Sequence, residues 1–250
     1  MSVIDLNADV GEEASGPDGD GAVLDSVTSA SVACGVHAGD PGVMSATVVA
    51  AAARGVVVGA HPSYPDRAGF GRRPMQMDSR LLTDELLAQI GALEAVARGQ
   101  SVRLRFVKPH GALYNTVADD VAEAEALCAA MSAFGDLVLL VQHGSEAVAV
   151  AERRGIAVAT EAFADRAYRP DGRLLPRHVP GAVITDTEEV TARAVSLAVE
   201  GGVTAVDGSW VTVKAVSICV HGDTAGAAGL AARVRLGLAE AGVSVRPFVA

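Results

Sequence analysis

The chain has 250 residues, a formal charge of −10 and a hydrophobic content of 50%, which allows a sizeable buried core and argues against disorder. The acidic balance disfavours nucleic acid or an anionic membrane as the main partner, because binding either requires broad cationic surface. Three cysteines without a CxxC pair argue against a disulfide framework and a zinc ribbon, and the sequence contains neither a signal-peptide start nor about 18 consecutive apolar residues, so we expect a cytoplasmic protein.

Short apolar runs alternate with longer amphipathic stretches along the whole chain. In chain order, the predicted strands are 3–8, 31–36, 56–60, 103–108, 137–141, 156–161 and 213–220, and the predicted helices are 41–54, 79–98, 119–133, 145–154, 187–200 and 224–241. This alternation, without a linker, predicts one α/β domain over residues 1–250 with a parallel sheet, either doubly wound or closed into a barrel. Runs such as "GVVVGA" are apolar on both faces and favour the closed (β/α) barrel.

Polar residues follow the predicted strands at their carboxyl ends, where both architectures bind ligands. In chain order they are Asp5, Asn7, Asp9 and Glu12; His37 and Asp40; His61 and Tyr64; Lys108, His110, Tyr114 and Asn115; Glu161, Asp165 and Arg166; and His221 and Asp223. A lone histidine at a strand end is usually structural, but four of them at equivalent places in a barrel predict a shared site. Ordinary βα turns would explain the accompanying glycines, though not the repeated His, Asp and Asn.

Lys108 is one of only two lysines, whereas the chain has 18 arginines. A position that keeps lysine against such a bias suggests a need for a compact ammonium rather than a planar guanidinium, and chance is the alternative. Asp40 and Asp223 each precede a predicted helix, so N-capping competes with a functional role for both.

Seven motifs carry a family resemblance: "DLNADVGE" (5–12), "ACGVHAGDP" (33–41), "GAHPSYPDRAGFGRR" (59–73), "VKPHGALYN" (107–115), "EAFADRAY" (161–168), "DGRLLPR" (171–177) with "GAVI" (181–184), and "CVHGD" (219–223). In this order they resemble the family of 5-oxoprolinase A subunits, also called LamB/YcsF-like. Ala8 stands where the family usually has cysteine, which argues that a thiol there is not essential.

The resemblance implies an α/β fold, a seven-stranded parallel (β/α) barrel that is TIM-like and related to the glycoside hydrolase/deacetylase superfamily. It also implies ATP-dependent cleavage of the lactam 5-oxo-L-proline to L-glutamate, together with subunits B and C. ATP and Mg²⁺ are the expected cofactors, and the question whether the chain forms a homodimer stays open.

Phosphoryl transfer without a Walker loop requires cations and N–H donors around the transferring group. We expect Lys108, His110, His61 and Asp5 to be catalytic, with Lys108 and Arg72 on phosphate oxygens, helped by the N–H groups of residues 69–71, and the two histidines as acid/base groups. Asp5, Asp9, Glu12 or Asp40 would hold Mg²⁺ or position the substrate, with Asp9 and Asp40 as the metal candidates. The remaining binding candidates are Asn7, His37, Tyr64, Tyr114, Asn115, Glu161, Asp165, Arg166 and the pair His221 and Asp223.

Two rival functions stay open. One is a metal-dependent deacetylase-like hydrolase acting on carbohydrate, although the sequence contains neither H-x-x-x-H nor H-E-x-x-H. The other is a non-catalytic subunit that binds a lactam or sugar. A nucleophilic Cys34 or Cys219 is the weaker interpretation, because cysteine is commonly just a small buried residue.

Overall fold

Seven parallel strands close into a barrel in the computed structural model, which describes residues 2–12, 19–220 and 226–249. The strands are β1 Val3–Val10, β2 Ser29–Ala33, β3 Val57–His61, β4 Phe106–Val107, β5 Val138–Gln142, β6 Val158–Phe163, β7 Gly202–Thr204, β8 Trp210–Thr212, β9 Ser217–Cys219 and β10 Ser244–Val245. The helices are α1 Gly19–Leu24, α2 Pro41–Ala52, α3 Ser79–Gly99, α4 Gly111–Asp119, α5 Val121–Met131, α6 Glu146–Arg153, α7 Thr187–Val199 and α8 Ala227–Glu240.

Barrel closure follows from the strand order. Strands β1 to β6 pair in sequence, β6 pairs with β9, and β9 returns to β1. The register places Ser217 of β9 level with Asp5 of β1 on one side and with Glu161 of β6 on the other. The predicted seven-stranded parallel barrel is confirmed, and its closure brings together residues that are more than 200 positions apart in the chain.

Strand β1 explains why the barrel interior is polar near its carboxyl end. Its alternating residues Ile4, Leu6, Ala8 and Val10 are buried and apolar, and the residues between them are buried and polar. Because successive side chains point to opposite faces of a strand, one set faces the helices and the other, which reaches across to β4, β6 and β9, faces inward. A strand with both faces buried is what a closed barrel requires.

The surrounding helices bury an apolar stripe against the barrel. Helix α3 does so with Leu82, Leu86, Ile90 and Leu93, spaced three or four residues apart on one face. Asp78 begins this helix by accepting hydrogen bonds from the backbone N–H groups of Arg80 and Leu81. No helix within the described ranges is long and apolar enough to cross a membrane.

Several elements differ from the sequence-based prediction. The fourth strand is only two residues long by pairing, and β9 begins at Ser217, since residues 213–216 belong neither to a strand nor to the antiparallel hairpin of β7 and β8 that precedes them. Helices α1 and α4 were not predicted, and α4 starts directly after the motif histidine His110. The short strand β10 pairs outside the barrel, beside the start of β1.

Candidate functional site

Lys108 lies immediately after β4, and its side chain crosses the barrel interior. The ammonium donates hydrogen bonds to Asn7 Oδ1 at 3.0 Å and Asp9 Oδ1 at 2.9 Å, and lies 3.1 Å from Glu161 Oε2. Cys219 Sγ is a fourth neighbour at 3.1 Å. Burial alone would lower the pKa of Lys108, but the neighbouring groups, Asp9 first among them and Glu161 with it, together outweigh burial and raise the pKa well above its usual value. Lys108 is therefore a fixed buried cation and not a neutral amine.

A chain of hydrogen bonds connects Lys108, through Asn7 and Ser217, to Asp5. Asn7 Nδ2 donates to Ser217 Oγ at 2.7 Å and to Glu161 Oε2 at 3.1 Å, and the Ser217 hydroxyl donates to Asp5. Thr28 and Ser29 also donate to Asp5. Burial raises the pKa of Asp5 to about 6, although these hydrogen bonds partly oppose it. Asp5, predicted to be catalytic, lies behind Ser217 and positions the residues that touch Lys108.

Three histidines gather around Glu12 at the carboxyl end of the barrel. Glu12 Oε1 lies 3.1 Å from His37 Nε2 and 3.2 Å from His110 Nδ1. The rings of His37 and His110 stack with centroids 3.9 Å apart, and His61 meets His110 edge to face. Burial would raise the pKa of Glu12, but the hydrogen bonds from His110 and His37 outweigh it and hold that pKa below its usual value. Glu12 is therefore an anion.

The loop over this cluster depends on two glycines with positive φ. Gly71 (φ +62°) leaves no room for a side chain, since an added Cβ would lie 2.9 Å from the His110 ring, and Gly111 (φ +59°) packs against the Gly71 carbonyl. The backbone N–H groups of Gly69 and Gly71 donate to Asp66. The prediction that the backbone N–H groups of residues 69–71 bind phosphate is wrong. All three N–H groups already donate hydrogen bonds to Asp66 or Arg67.

A cavity of about 830 Å³ opens above Lys108 and the histidine cluster. Its floor includes Asp9, Glu12, His61, Lys108 and His110, and its walls include five arginines, namely Arg72, Arg166, Arg169, Arg173 and Arg177. Arg166 is buried, and burial together with repulsion from the nearby Arg177 lowers its pKa to about 10. The cavity is thus acidic at its base and cationic along its walls, in a chain with a formal charge of −10.

Several buried polar atoms at the cavity have no hydrogen-bond partner among the residues that the structure describes. They are Gln142 Oε1, the Tyr114 hydroxyl and Glu161 Oε1, and the Tyr114 hydroxyl lies beside the Glu161 carboxylate without the geometry of a full hydrogen bond. Tyr114 and Gln142 line the cavity, and Glu161 contacts the Lys108 ammonium on its floor. Buried polar groups are normally paired, so unpaired ones at a cavity wall are suited to a ligand that brings both donors and acceptors.

The other predicted site residues are dispersed. Asn115 and Arg72 line the cavity, whereas the Tyr64 hydroxyl bonds to Glu123 and Asp40 caps α2 through the Val43 N–H, and neither of these two lines the cavity. Asp165 is buried beside Arg166. The predicted pair of His221 and Asp223 lies outside the described residues.

The cysteines have the environment of buried packing residues. Burial raises the pKa of Cys34 to about 12 and that of Cys219 well above its usual value. Neither is poised as a thiolate nucleophile. Cys219 instead contacts Lys108 through its sulfur.

Sequence reasoning missed two groups of residues at the site. Ser217 carries no motif, and only the barrel register identifies it, whereas Gln142 follows the fifth predicted strand but was not among the predicted site residues. Arg169, Arg173 and Arg177 had a visible signal, because with Arg166 they place four arginines within the segment "RAYRPDGRLLPR". In the structure this segment supplies most of the cationic wall.

Comparison with known proteins gives matches over nearly the whole chain. The LamB/YcsF family matches residues 4–250. The chain is 55% identical to the A subunit of 5-oxoprolinase from Kocuria rhizophila, over 99% of this chain and 100% of that protein, and 51% identical to that from Streptomyces griseus, over 98% and 100%. These names imply that the relatives work within an enzyme of several subunits.

Solved structures agree with the sequence relatives. The lactam utilization protein of Thermus thermophilus superposes with a TM-score of 0.91 at 43% identity, covering 98% of this chain and 100% of that chain. A family 4 carbohydrate esterase from Streptomyces lividans has a TM-score of 0.52 at 11% identity, covering 98% of this chain and 91% of that one, which is a likeness of fold alone. The chain therefore belongs to the LamB/YcsF family.

Proposed function

We propose that this chain supplies the lactam site of a 5-oxoprolinase built from several subunits, in which subunits B and C are its partners and ring opening is coupled to ATP hydrolysis. The observation that carries the proposal is the cavity at the carboxyl end of the barrel, with five arginines on its walls and Lys108 on its floor. Both 5-oxo-L-proline and ATP are anions, so an acidic protein that binds them needs such a local concentration of cations. The full-length identity to relatives named as A subunits of 5-oxoprolinase supports the choice of lactam.

The chemistry explains why ATP is required. Amide resonance makes the lactam carbon a poor electrophile, and transfer of the γ-phosphoryl group to the lactam oxygen converts it into an imidate-like carbon, releasing ADP. Water then attacks that carbon, and cleavage of the C–N bond opens the ring to a γ-glutamyl phosphate. A second water releases phosphate and leaves L-glutamate, so that atoms and charges balance over the sequence.

The cavity offers a group for each step of this reaction. The arginines suit the substrate carboxylate and the phosphate oxygens, and the unpaired Tyr114 hydroxyl and Glu161 oxygen suit the amide oxygen and N–H of a lactam. The Glu12 carboxylate, beside His61 and His110, suits the orientation of the attacking water. Lys108 would stabilise phosphoryl charge by exchanging its weakest partner, the thiol of Cys219, for a phosphate oxygen.

Mg²⁺ would accompany ATP, held largely by phosphate oxygens and by one or two carboxylates. Of the four acids considered, Asp9 and Glu12 line the cavity, whereas Asp5 lies behind Ser217 and Asp40 caps a helix at the surface. Glu12 is therefore the carboxylate that we propose for this role, through Oε2, because its Oε1 lies among the histidines and the two oxygens of Asp9 face Lys108 and His61.

The test is glutamate formation from 5-oxo-L-proline and ATP by the assembled three-subunit complex, measured with this chain present and with it omitted. We expect production of glutamate and ADP only when the chain is present. Equal production in its absence would overturn the proposal. Tyr114→Phe, which removes only the unpaired hydroxyl, should raise KM for the lactam and leave circular dichroism unchanged, and Tyr64→Phe, whose hydroxyl bonds to Glu123 away from the cavity, is the matched control.

A further inference from the structure

Two buried histidine nitrogens face each other on the floor of the cavity. His61 Nδ1 lies 2.8 Å from the Lys108 carbonyl oxygen, and His110 Nε2 lies 2.9 Å from the Phe70 carbonyl oxygen. A carbonyl oxygen only accepts, so each of these nitrogens carries a proton. The opposite nitrogens, His61 Nε2 and His110 Nδ1, lie 3.0 Å apart, so that one cation, a proton or a metal ion, belongs between them.

Two carboxylates extend this group of acceptors. Asp9 Oδ2 lies 3.4 Å from His61 Nε2, and Glu12 Oε1 lies 3.2 Å from His110 Nδ1. In the part of the chain that the structure describes, Lys108 is the one ammonium at this cluster, and it also serves Glu161. A single shared proton and the Lys108 ammonium would balance two of the three carboxylates Asp9, Glu12 and Glu161, and would leave one negative charge uncompensated in a buried place, where such charge is costly.

We propose that Asp9, His61 and His110 bind one divalent transition-metal ion, with Glu12 as a fourth ligand. The ligand atoms of Asp9, His61 and His110 all lie within 4.8 Å of one another. The 3.0 Å between the two nitrogens is the separation of ligands about 2.1 Å from one ion and about 90° apart. A dication also supplies the positive charge that the two carboxylates lack.

The donor set selects the class of ion. Two imidazole nitrogens with carboxylate oxygens favour Mn²⁺, Fe²⁺, Co²⁺ or Zn²⁺, whereas Mg²⁺ prefers an all-oxygen shell. This ion is therefore distinct from the Mg²⁺ that would arrive with the nucleotide phosphates.

The surroundings hold the ligands ready for an ion. The outer N–H group of each histidine donates to a backbone carbonyl, which fixes the tautomer that leaves the inner nitrogen free to coordinate. His37 stacks on the His110 ring and bonds to Glu12, so both of these ligands are braced from one side. All four proposed ligands line the open cavity, which gives an ion a way in.

The test measures metal binding by the full chain and needs no turnover, so its failure is separate from that of the proposed function. Metal-free protein is titrated with Co²⁺, following its visible absorption, and with Zn²⁺ by calorimetry. We expect one equivalent to bind, with His61→Asn and His110→Asn each weakening binding by at least about 100-fold. His143→Asn, at an exposed histidine outside the cluster, is the matched control and should bind as the wild type does.

Folding of each variant is checked by circular dichroism of the metal-free protein, and Asp9→Asn, which keeps the side-chain shape, provides a second test of the same ligand set. Titration of the wild-type chain that gives no stoichiometric binding of either ion would overturn the proposal. Equal affinity of the wild type and the folded His61, His110 or Asp9 variants would overturn it as well.

Discussion

Gly71 lies directly against the imidazole of His110, with an added Cβ only 2.9 Å from His110 Cδ2 and 3.1 Å from His37 Cβ. This contact ties the conformation of the loop after β3 to the position of the histidines. Gly71→Ala should therefore displace the His110 ring as well as strain the backbone, whose φ is positive.

A matched control separates these two effects. Gly55 has a similar positive φ of 69°, but no atom of the described residues lies within 4 Å of a Cβ added there. We expect Gly55→Ala to cost about 1 to 2 kcal/mol of unfolding free energy, from the left-handed backbone alone, with activity retained. Gly71→Ala should cost more and lower kcat/KM by roughly 100-fold, as small displacements of active groups do. Equal effects of the two variants in denaturant unfolding and in turnover would contradict this account of the loop.

Asp5 makes stability depend on pH in an unusual direction for a carboxyl group. Its pKa in the folded state is raised by burial to about 6, from an ordinary value of 3.8. The folded protein therefore binds more protons than the unfolded chain between these values, and the contribution of Asp5 to stability falls as pH rises through about 4 to 6. The loss across this window corresponds to about 3 kcal/mol.

Asp5→Asn removes this titration. The unfolding free energy of the variant, relative to wild type, should rise by up to about 3 kcal/mol between pH 4 and pH 8. In addition, the variant should be less stable by an amount that does not change with pH, because the hydrogen bonds of Ser217, Thr28 and Ser29 to Asp5 are weakened. Urea unfolding at several pH values measures the difference. The exposed Asp84→Asn is the control. A difference for Asp5→Asn that stays flat with pH would show that burial does not perturb Asp5.

The sequence predicted those site residues whose position follows from the order of strands and helices, but not those whose position depends on pairing between strands far apart in the chain. Lys108 and the strand-end histidines could be found because parallel α/β topology alone sends the ends of successive strands to one face. Ser217 could not be found, since its bond to Asp5 joins residues 212 positions apart and depends on which strands β9 pairs with when the barrel closes. The hairpin of β7 and β8 was not predicted either. Its two short strands form a separate antiparallel sheet beside the barrel and so do not fit the alternation of strands and helices.

Alkylation and substitution of Cys219 test whether its contact with the Lys108 ammonium is catalytic or structural. Burial raises the pKa of its thiol well above the usual value, so the native protein should not react with iodoacetamide at pH 8 on the timescale of minutes. Cys219→Ala removes one partner of the Lys108 ammonium but leaves those of Asn7, Asp9 and Glu161, and we expect turnover to fall by less than about tenfold. Rapid alkylation of Cys219 in the folded chain, with parallel loss of activity, would restore the nucleophile hypothesis.

Arg177 tests the cationic wall of the cavity. It lines the cavity and lies close enough to Arg166 to lower the pKa of that guanidinium. Arg177→Ala should raise KM for 5-oxo-L-proline or for ATP by roughly tenfold, with kcat within a few-fold of wild type, because the lost charge binds substrate and transition state alike. Arg80→Ala, at an exposed arginine on α3 away from the cavity, is the control. Unchanged KM for both substrates would exclude Arg177 from anion binding.

The two lysines of the chain provide the most direct test of the central claim, that a buried ammonium on the cavity floor serves lactam opening. Lys108 is enclosed by Asn7, Asp9, Glu161 and Cys219, whereas Lys214 is exposed, and Lys→Arg preserves the charge at either position. A guanidinium is larger and planar and cannot take the place of the ammonium among these partners. Glutamate formation by the assembled complex should fall by at least about 100-fold with Lys108→Arg and stay at the wild-type rate with Lys214→Arg, both variants being folded by circular dichroism. A folded Lys108→Arg complex that turns over 5-oxo-L-proline within a few-fold of wild type would contradict the claim.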